Sequence, residues 1–130
     1  MKIIFLILLL FLITSCYKND ETNQGTTGLV GRWYLMSFNP GFGQMEDYNT
    51  GDIIWTINSD NSINVTLNVT TSTQLPLNED GNYSYNITSN NSVNVENIDY
   101  EYQIEEEQTL KLLDTPSSDG TILTFQKVGN

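Results

Sequence analysis

Ile63-Asn64-Val65-Thr66-Leu67-Asn68-Val69-Thr70 places four aliphatic side chains at alternate positions with Asn or Thr between them. Successive side chains of an extended chain point to opposite faces, so this octet has one apolar face and one polar face. Wound as a helix it would mix the two around its circumference. The stretch therefore reads as a half-buried strand over residues 63–70. Upstream, Ile53, Trp55 and Ile57 repeat the spacing, and Asn58-Ser59-Asp60-Asn61-Ser62 reads as a hairpin turn because Asn and Asp tolerate positive φ. Downstream the same period recurs in Tyr83, Tyr85 and Ile87; in Val93 and Val95; in Ile98, Tyr100, Tyr102 and Ile104; in Leu110 and Leu112; and in Leu123 and Phe125. Turn signals fall at Asp80-Gly81, Asn90-Asn91 and Asp119-Gly120. With an opening segment from Leu29 to Phe38, this gives about eight strands and no stretch that reads as a helix. The expected fold is all-β, a small antiparallel up-and-down barrel whose closure removes exposed edges. A two-sheet β-sandwich is the alternative.

Before the strands the character changes. Met1 to Leu12 holds one basic residue and then an apolar core too short to cross a bilayer comfortably, as in an export signal that is removed. It ends in Ile13-Thr14-Ser15-Cys16, which resembles the lipobox of bacterial lipoproteins: an aliphatic residue, two small ones, then the cysteine that is acylated. The only cysteine of the chain falls where that motif needs it. The resemblance implies a lipoprotein signal peptide over residues 1–15 and a membrane anchor on Cys16. At about 0.8 kcal/mol per buried CH₂, two or three acyl chains would hold the protein almost permanently. Residues 16–28 then form the anchor and a flexible tether, too polar to bury a core and with an r.m.s. span of roughly 20 Å. Within it, Tyr17-Lys18-Asn19-Asp20-Glu21 resembles the surface-export signal of Bacteroidetes lipoproteins, a Lys soon after the acylated Cys followed by acidic residues. Asn19 stands where an acidic residue would fit better. The implied location is the outer membrane, facing either the periplasm or the cell surface.

Composition narrows the function classes. The 130 residues hold 5 basic and 16 acidic side chains; losing residues 1–15 removes Lys2 and takes the formal net charge from −11 to −12. Nucleic acid and bare anionic lipid both call for basic patches, so neither is an expected partner of the protein surface. A second cysteine is lacking, so an intrachain disulfide is impossible and stability must come from packing. Histidine is absent, which removes the usual general base and the commonest transition-metal ligand. The remaining length suits one domain, residues 29–130, expected as a monomer.

Leu29-Val30-Gly31-Arg32-Trp33-Tyr34-Leu35 resembles the Gly-x-Trp first strand of lipocalin-like proteins, in particular the small lipocalin-like domains of Bacteroidetes lipoproteins. Thr109-Leu110-Lys111-Leu112-Leu113-Asp114 followed by Gly120-Thr121-Ile122-Leu123-Thr124-Phe125-Gln126-Lys127-Val128 resembles their closing hairpin. The resemblance implies that Trp33 packs near the closed end of the barrel, that Gly31 permits close backbone approach, and that Lys127 lies against Trp33. Such a cation–π contact is worth about 0.5–2 kcal/mol. The chain departs from larger lipocalins in having Lys where Arg is usual and in lacking a helix after the barrel.

Ligand-contact candidates fall in two groups. Residues 39–51 form the longest loop, with three glycines and the apolar side chains Phe42, Met45 and Tyr48. In lipocalin-like barrels the corresponding loop caps the open mouth, where these three could touch a ligand or simply plug the end. Tyr83, Tyr85, Tyr100 and Tyr102 lie on the inward faces of two strands and offer flat rings with polar tips, suited to a glycan or small aromatic molecule, or to solid core. Glu105-Glu106-Glu107, with Asp99 and Glu101, is the densest acidic cluster; alternate strand residues point apart, so a solvated edge is expected rather than a calcium site. Five Asn-x-Ser/Thr sequons, including Asn64, Asn68 and Asn82, are incidental behind a bacterial lipobox. The sequence thus predicts no enzyme, no metal and no cofactor. It leaves two functional readings: a membrane-anchored barrel binding a small hydrophobic molecule or glycan at its mouth, or an envelope accessory module with a packed barrel that contacts a partner protein.

Overall fold

The structure, a computed structural model, describes residues 28–114 and 120–129. The signal peptide, Cys16, the tether up to residue 27 and the turn at Asp119 lie outside the described residues.

Among the described residues nine strands follow one another: β1 (Gly31–Asn39), β2 (Glu46–Asp47), β3 (Ile53–Ile57), β4 (Ser62–Leu67), β5 (Gly81–Ser89), β6 (Ser92–Val95), β7 (Ile98–Glu105), β8 (Thr109–Asp114) and β9 (Ile122–Lys127). Every strand from β3 onward pairs antiparallel with the next, and β9 returns to pair with β1 from Trp33↔Lys127 to Asn39↔Ile122. That last ladder closes an eight-stranded barrel and rules out the sandwich. The two-residue β2 is an addition on β1, at Ser37↔Asp47 and Phe38↔Glu46. Connections alternate between two ends. Gly28 and Gly129, where the described residues begin and end, and the turns at 58–61, 90–91 and 106–108 lie at one, here the terminal end; the connections 40–52, 68–80 and 96–97 lie at the other, the loop end.

Three local expectations need correcting. The octet that announces the fold is a strand only as far as Leu67, because Leu67 N–H, the next donor along the β5 side, turns to the Asp80 carboxylate at 2.6 Å. Loops thus take over where ladders would have continued. The first strand begins at Gly31, not Leu29, since Leu29 turns inward and its carbonyl accepts the Trp33 indole N–H at 2.8 Å. The glutamate run leaves the strand after its first member: Glu105 ends β7, and Glu106 and Glu107, with φ of 53° and 59°, open the turn 106–108, in which Gln108 N–H donates to the Glu105 carbonyl at 3.0 Å. Glu96 and Asn97, with φ of 47° and 70°, paired left-handed values that suit a two-residue connection, make the turn between β6 and β7.

The interior is solid. Trp33, Trp55, Tyr85, Phe38 and Phe125 are its largest fully buried side chains, and no polar or charged residue is buried among the described residues. Trp55 and Phe125 meet with ring centroids 4.8 Å apart and tilted by 54°. A void within this core, beside Leu29, Trp55, Tyr85 and Leu112, measures about 10 Å³. That is scarcely room for one water molecule.

Gly31 has φ +149°, and a Cβ added there would lie 3.1 Å from the Lys127 side chain. Gly31→Ala combines a backbone angle that L residues avoid with a tight contact. It is expected to lower stability by about 1–3 kcal/mol, read as a shifted urea midpoint with an unchanged denaturant slope.

Candidate functional site

At the terminal end, Gly28 and Leu29 fold across the opening before β1 begins. Leu29 is held by the Trp33 indole, and a Cβ on Gly28 would come within 2.7 Å of Ile104 Cδ1, so this lid fits closely. Lys127 Nζ stands 5.4 Å from the centre of the Trp33 ring, within cation–π range. The last strand is fastened alongside, with Lys127 N–H on the Gln108 carbonyl and Val128 N–H on that of Arg32. Gly31, Trp33 and Lys127 therefore make one structural unit that shuts this end.

The four candidate tyrosines do not converge. Tyr85 donates to the Asn58 carbonyl at 2.6 Å and Tyr102 to that of Asn90 at 2.9 Å, both at the terminal end. Tyr83 donates to the Glu79 carbonyl at 2.7 Å, at the loop end. Tyr100 is buried and paired across the ladder with Asp114. The rings of Tyr85 and Tyr100 fill the core, while Tyr83 and Tyr102 pack at its margins. A shared binding face is not what this geometry offers.

Burial pushes the Tyr100 hydroxyl well above the usual tyrosine range, and the nearby Asp114 charge adds to the effect. Burial raises Tyr48, Tyr83, Tyr85 and Tyr102 too. A raised acid holds its proton in the folded state after the unfolded chain has released it near pH 10. Their stabilisation is thus complete below about pH 10 and is lost as pH rises beyond it. Tyr100 alone should steepen that loss by up to about 1.4 kcal/mol per pH unit. The tyrosinate absorbance of these five side chains is expected to appear together with unfolding; a folded protein in which all of it appears near pH 10 would contradict this.

The mouth loop divides its three candidates. Tyr48 packs against the core, its hydroxyl donating to Glu46 Oε2 at 2.5 Å and its N–H to the Met36 carbonyl at 2.9 Å. Phe42 and Met45 instead face water, 72% and 54% exposed. Met45 leans over an outer-wall groove of about 340 Å³, formed with Ser37 and Asn39 of β1, Gln103 of β7, Lys111 and Leu113 of β8, and Ile122 and Thr124 of β9. These are outward-facing strand residues, which an inside-versus-outside reading of the sequence passes over. Sequence reasoning also missed Leu75, buried in the 68–80 connection at the loop end. The apolar island Leu75-Pro76-Leu77 within a polar stretch is the signal that could have found it.

Among the described residues no group of three or more acidic side chains is placed to hold a metal ion, and no helix is long and apolar enough to cross a membrane.

No protein-family model matches the chain, and none of the curated proteins compared with it matches. Among solved structures it is similar to a lipocalin-like protein from Bacteroides uniformis, with a TM-score of 0.52 and 13% identity over 78% of this chain and 99% of that one. At that identity the likeness is one of fold, and the fold is a closed, all-β, eight-stranded antiparallel barrel of lipocalin-like form.

Proposed function

We propose that this chain is a lipid-anchored, non-enzymatic accessory protein of the cell envelope, in which a solid lipocalin-like barrel serves as a rigid support for surfaces that contact a partner protein. The observation that carries the reading is the filled interior. A void of about 10 Å³ is far below the several hundred Å³ of a small-molecule site, so the barrel offers no internal ligand chamber. The absence of His and the single cysteine at the lipobox support a non-catalytic role, because a nucleophile needs a positioned base. Anchoring and the outer-membrane location rest on the Ile13-Thr14-Ser15-Cys16 motif. A second reading, a small hydrophobic molecule or glycan held at the mouth, is favoured by the exposure of Phe42 and Met45.

Titration of the full chain with fatty acids, retinoids and oligosaccharides, followed by tryptophan fluorescence, separates the two. Absence of a saturable response is expected. Saturable quenching that Phe42→Ala or Tyr48→Ala abolishes would replace the first reading by the second. Anchoring has its own test: Cys16→Ser is expected to move the protein from the membrane to the soluble fraction and to abolish fatty-acid labelling, and an unchanged distribution would remove the anchor from the proposal.

A further inference from the structure

Phe42 and Met45 are exposed by construction. Phe42 sits between Gly41 and Gly43, whose φ values of 86° and 95° form a tip that other residues adopt at a cost. The Asn39 carboxamide oxygen accepts the Gly41 N–H at 2.9 Å, β2 fastens the returning limb to β1, and Tyr48 anchors the loop on the core. An aromatic ring and a thioether are thus held out on an ordered support, next to a groove whose apolar walls are Leu113 and Ile122. Side chains of these kinds dominate contact surfaces between proteins, methionine because it adapts its shape.

Charge indicates what would cover them. The connections of the loop end carry Glu46, Asp47, Asp52, Glu79, Asp80 and Glu96 and hold no basic residue. Of the described basic residues, Arg32 and Lys127 belong to the terminal end, and Lys111 on the groove wall is paired with Glu105 at 3.4 Å. Position supports the same occupant. Gly28 lies at the terminal end, so a lipid anchor on Cys16 would attach to the barrel at the end opposite the rim. Apolar side chains at an end whose connections are acidic and hold no basic residue are poorly placed for insertion into anionic lipid.

We propose that the rim formed by residues 41–47, with the adjoining groove of β1, β7, β8 and β9, docks a cationic polypeptide segment that also presents apolar side chains. This deepens the accessory-module reading and rests on it.

The test is selection from a displayed random peptide library against the full chain held in neutral phosphatidylcholine vesicles. Enrichment of peptides combining Lys or Arg with aliphatic or aromatic residues is expected. A synthetic peptide of an enriched sequence should bind at least tenfold more weakly to Phe42→Ser with Met45→Ser, and to Glu46→Lys with Asp47→Lys. Its affinity should also fall severalfold between 50 and 300 mM salt. Circular dichroism checks that the variants stay folded. Enrichment of neutral or acidic peptides, binding that survives both pairs of substitutions, or adhesion of the rim to phosphatidylglycerol vesicles would each overturn the docking proposal. Failure of the underlying reading looks different: saturable uptake of an apolar small molecule, whatever the peptides do.

Discussion

Trp55→Ala will lower stability by about 3–5 kcal/mol and open a cavity in the core that takes up a small apolar molecule. Trp55 is 1% exposed on β3, with Phe125 against one side and aliphatic side chains of the neighbouring strands around it. Its indole N–H has no hydrogen-bond partner among the described residues. Truncation therefore orphans no acceptor, and the cost is one of lost packing and an added void. Walls of Ile57, Ile63, Val93 and Leu112 keep such a void dry, and dry apolar cavities take up benzene-sized molecules. Urea unfolding measures the loss. Added indole should restore part of it, by about 2.7 kcal/mol at one hundred times its dissociation constant. A variant that loses less than about 1 kcal/mol, or that indole does not stabilise, would mean that the interior closes up around the deletion and is not the rigid filling described here. If the alanine variant fails to fold, Trp55→Phe offers the milder step, because it keeps a ring and removes an unpartnered donor.

That prediction also explains how one fold can be a container or a solid. An eight-stranded barrel has an interior just wide enough for side chains to fill, so its use depends on side-chain volume and not on topology. Here Trp33 and Phe38 from β1, Trp55 from β3, Tyr85 from β5 and Phe125 from β9 occupy the space. Among the described residues, the most exposed large apolar side chains, Phe42 and Met45, stand at the loop end.

The order and direction of the strands were legible because burial alternates with period two. Ile63 and Val65 are buried while Asn64 and Thr66 are exposed, and the same alternation runs through Val93 and Val95, Leu110 and Leu112, and Leu123 and Phe125. Where strands stop was not legible, since contacts distant in sequence decide it: the Asp80 carboxylate, far from Leu67 along the chain, takes the N–H at which β4 ends. The Glu106-Glu107 and Glu96-Asn97 turns escaped notice because Glu is an uncommon choice for positive φ, and the tight connection rather than residue preference imposes it. For the candidate site, the 39–51 loop could be identified from its glycines and isolated apolar residues, but not which of them faces water. Tyr48 reaches the core and Phe42 does not, a difference set by the glycine-flanked tip. The tyrosines illustrate the opposite limit: period two assigned an inward side to all four and could not say to which end each hydroxyl would run.

Trp33→Phe should cost about 2–4 kcal/mol, more than Trp55→Phe, although both remove the same atoms from the same core. The difference lies in the hydrogen bond. Trp33 donates to the Leu29 carbonyl at 2.8 Å in a buried setting, so phenylalanine leaves that acceptor unpaired, at about 1–3 kcal/mol beyond the lost packing. The damage then spreads to the lid, because this bond holds Leu29 over the terminal end and Gly28 has almost no spare room against Ile104. Hydrogen exchange should accordingly rise first at the amides of residues 29–34 and at Val128, which donates to Arg32, while β4 to β6 stay protected. The Lys127 ammonium adds a smaller share. Lys127→Met keeps the length and apolar stem of the side chain and removes only the charge, and should cost about 0.5–1 kcal/mol on its own. In a double-mutant cycle with Trp33→Phe the two losses should fall short of additivity, since a smaller ring leaves the ammonium less to interact with. Strict additivity would show that Lys127 merely lies near the indole, and equal costs for the two tryptophan replacements would show that the Leu29 lid contributes nothing to closing the barrel.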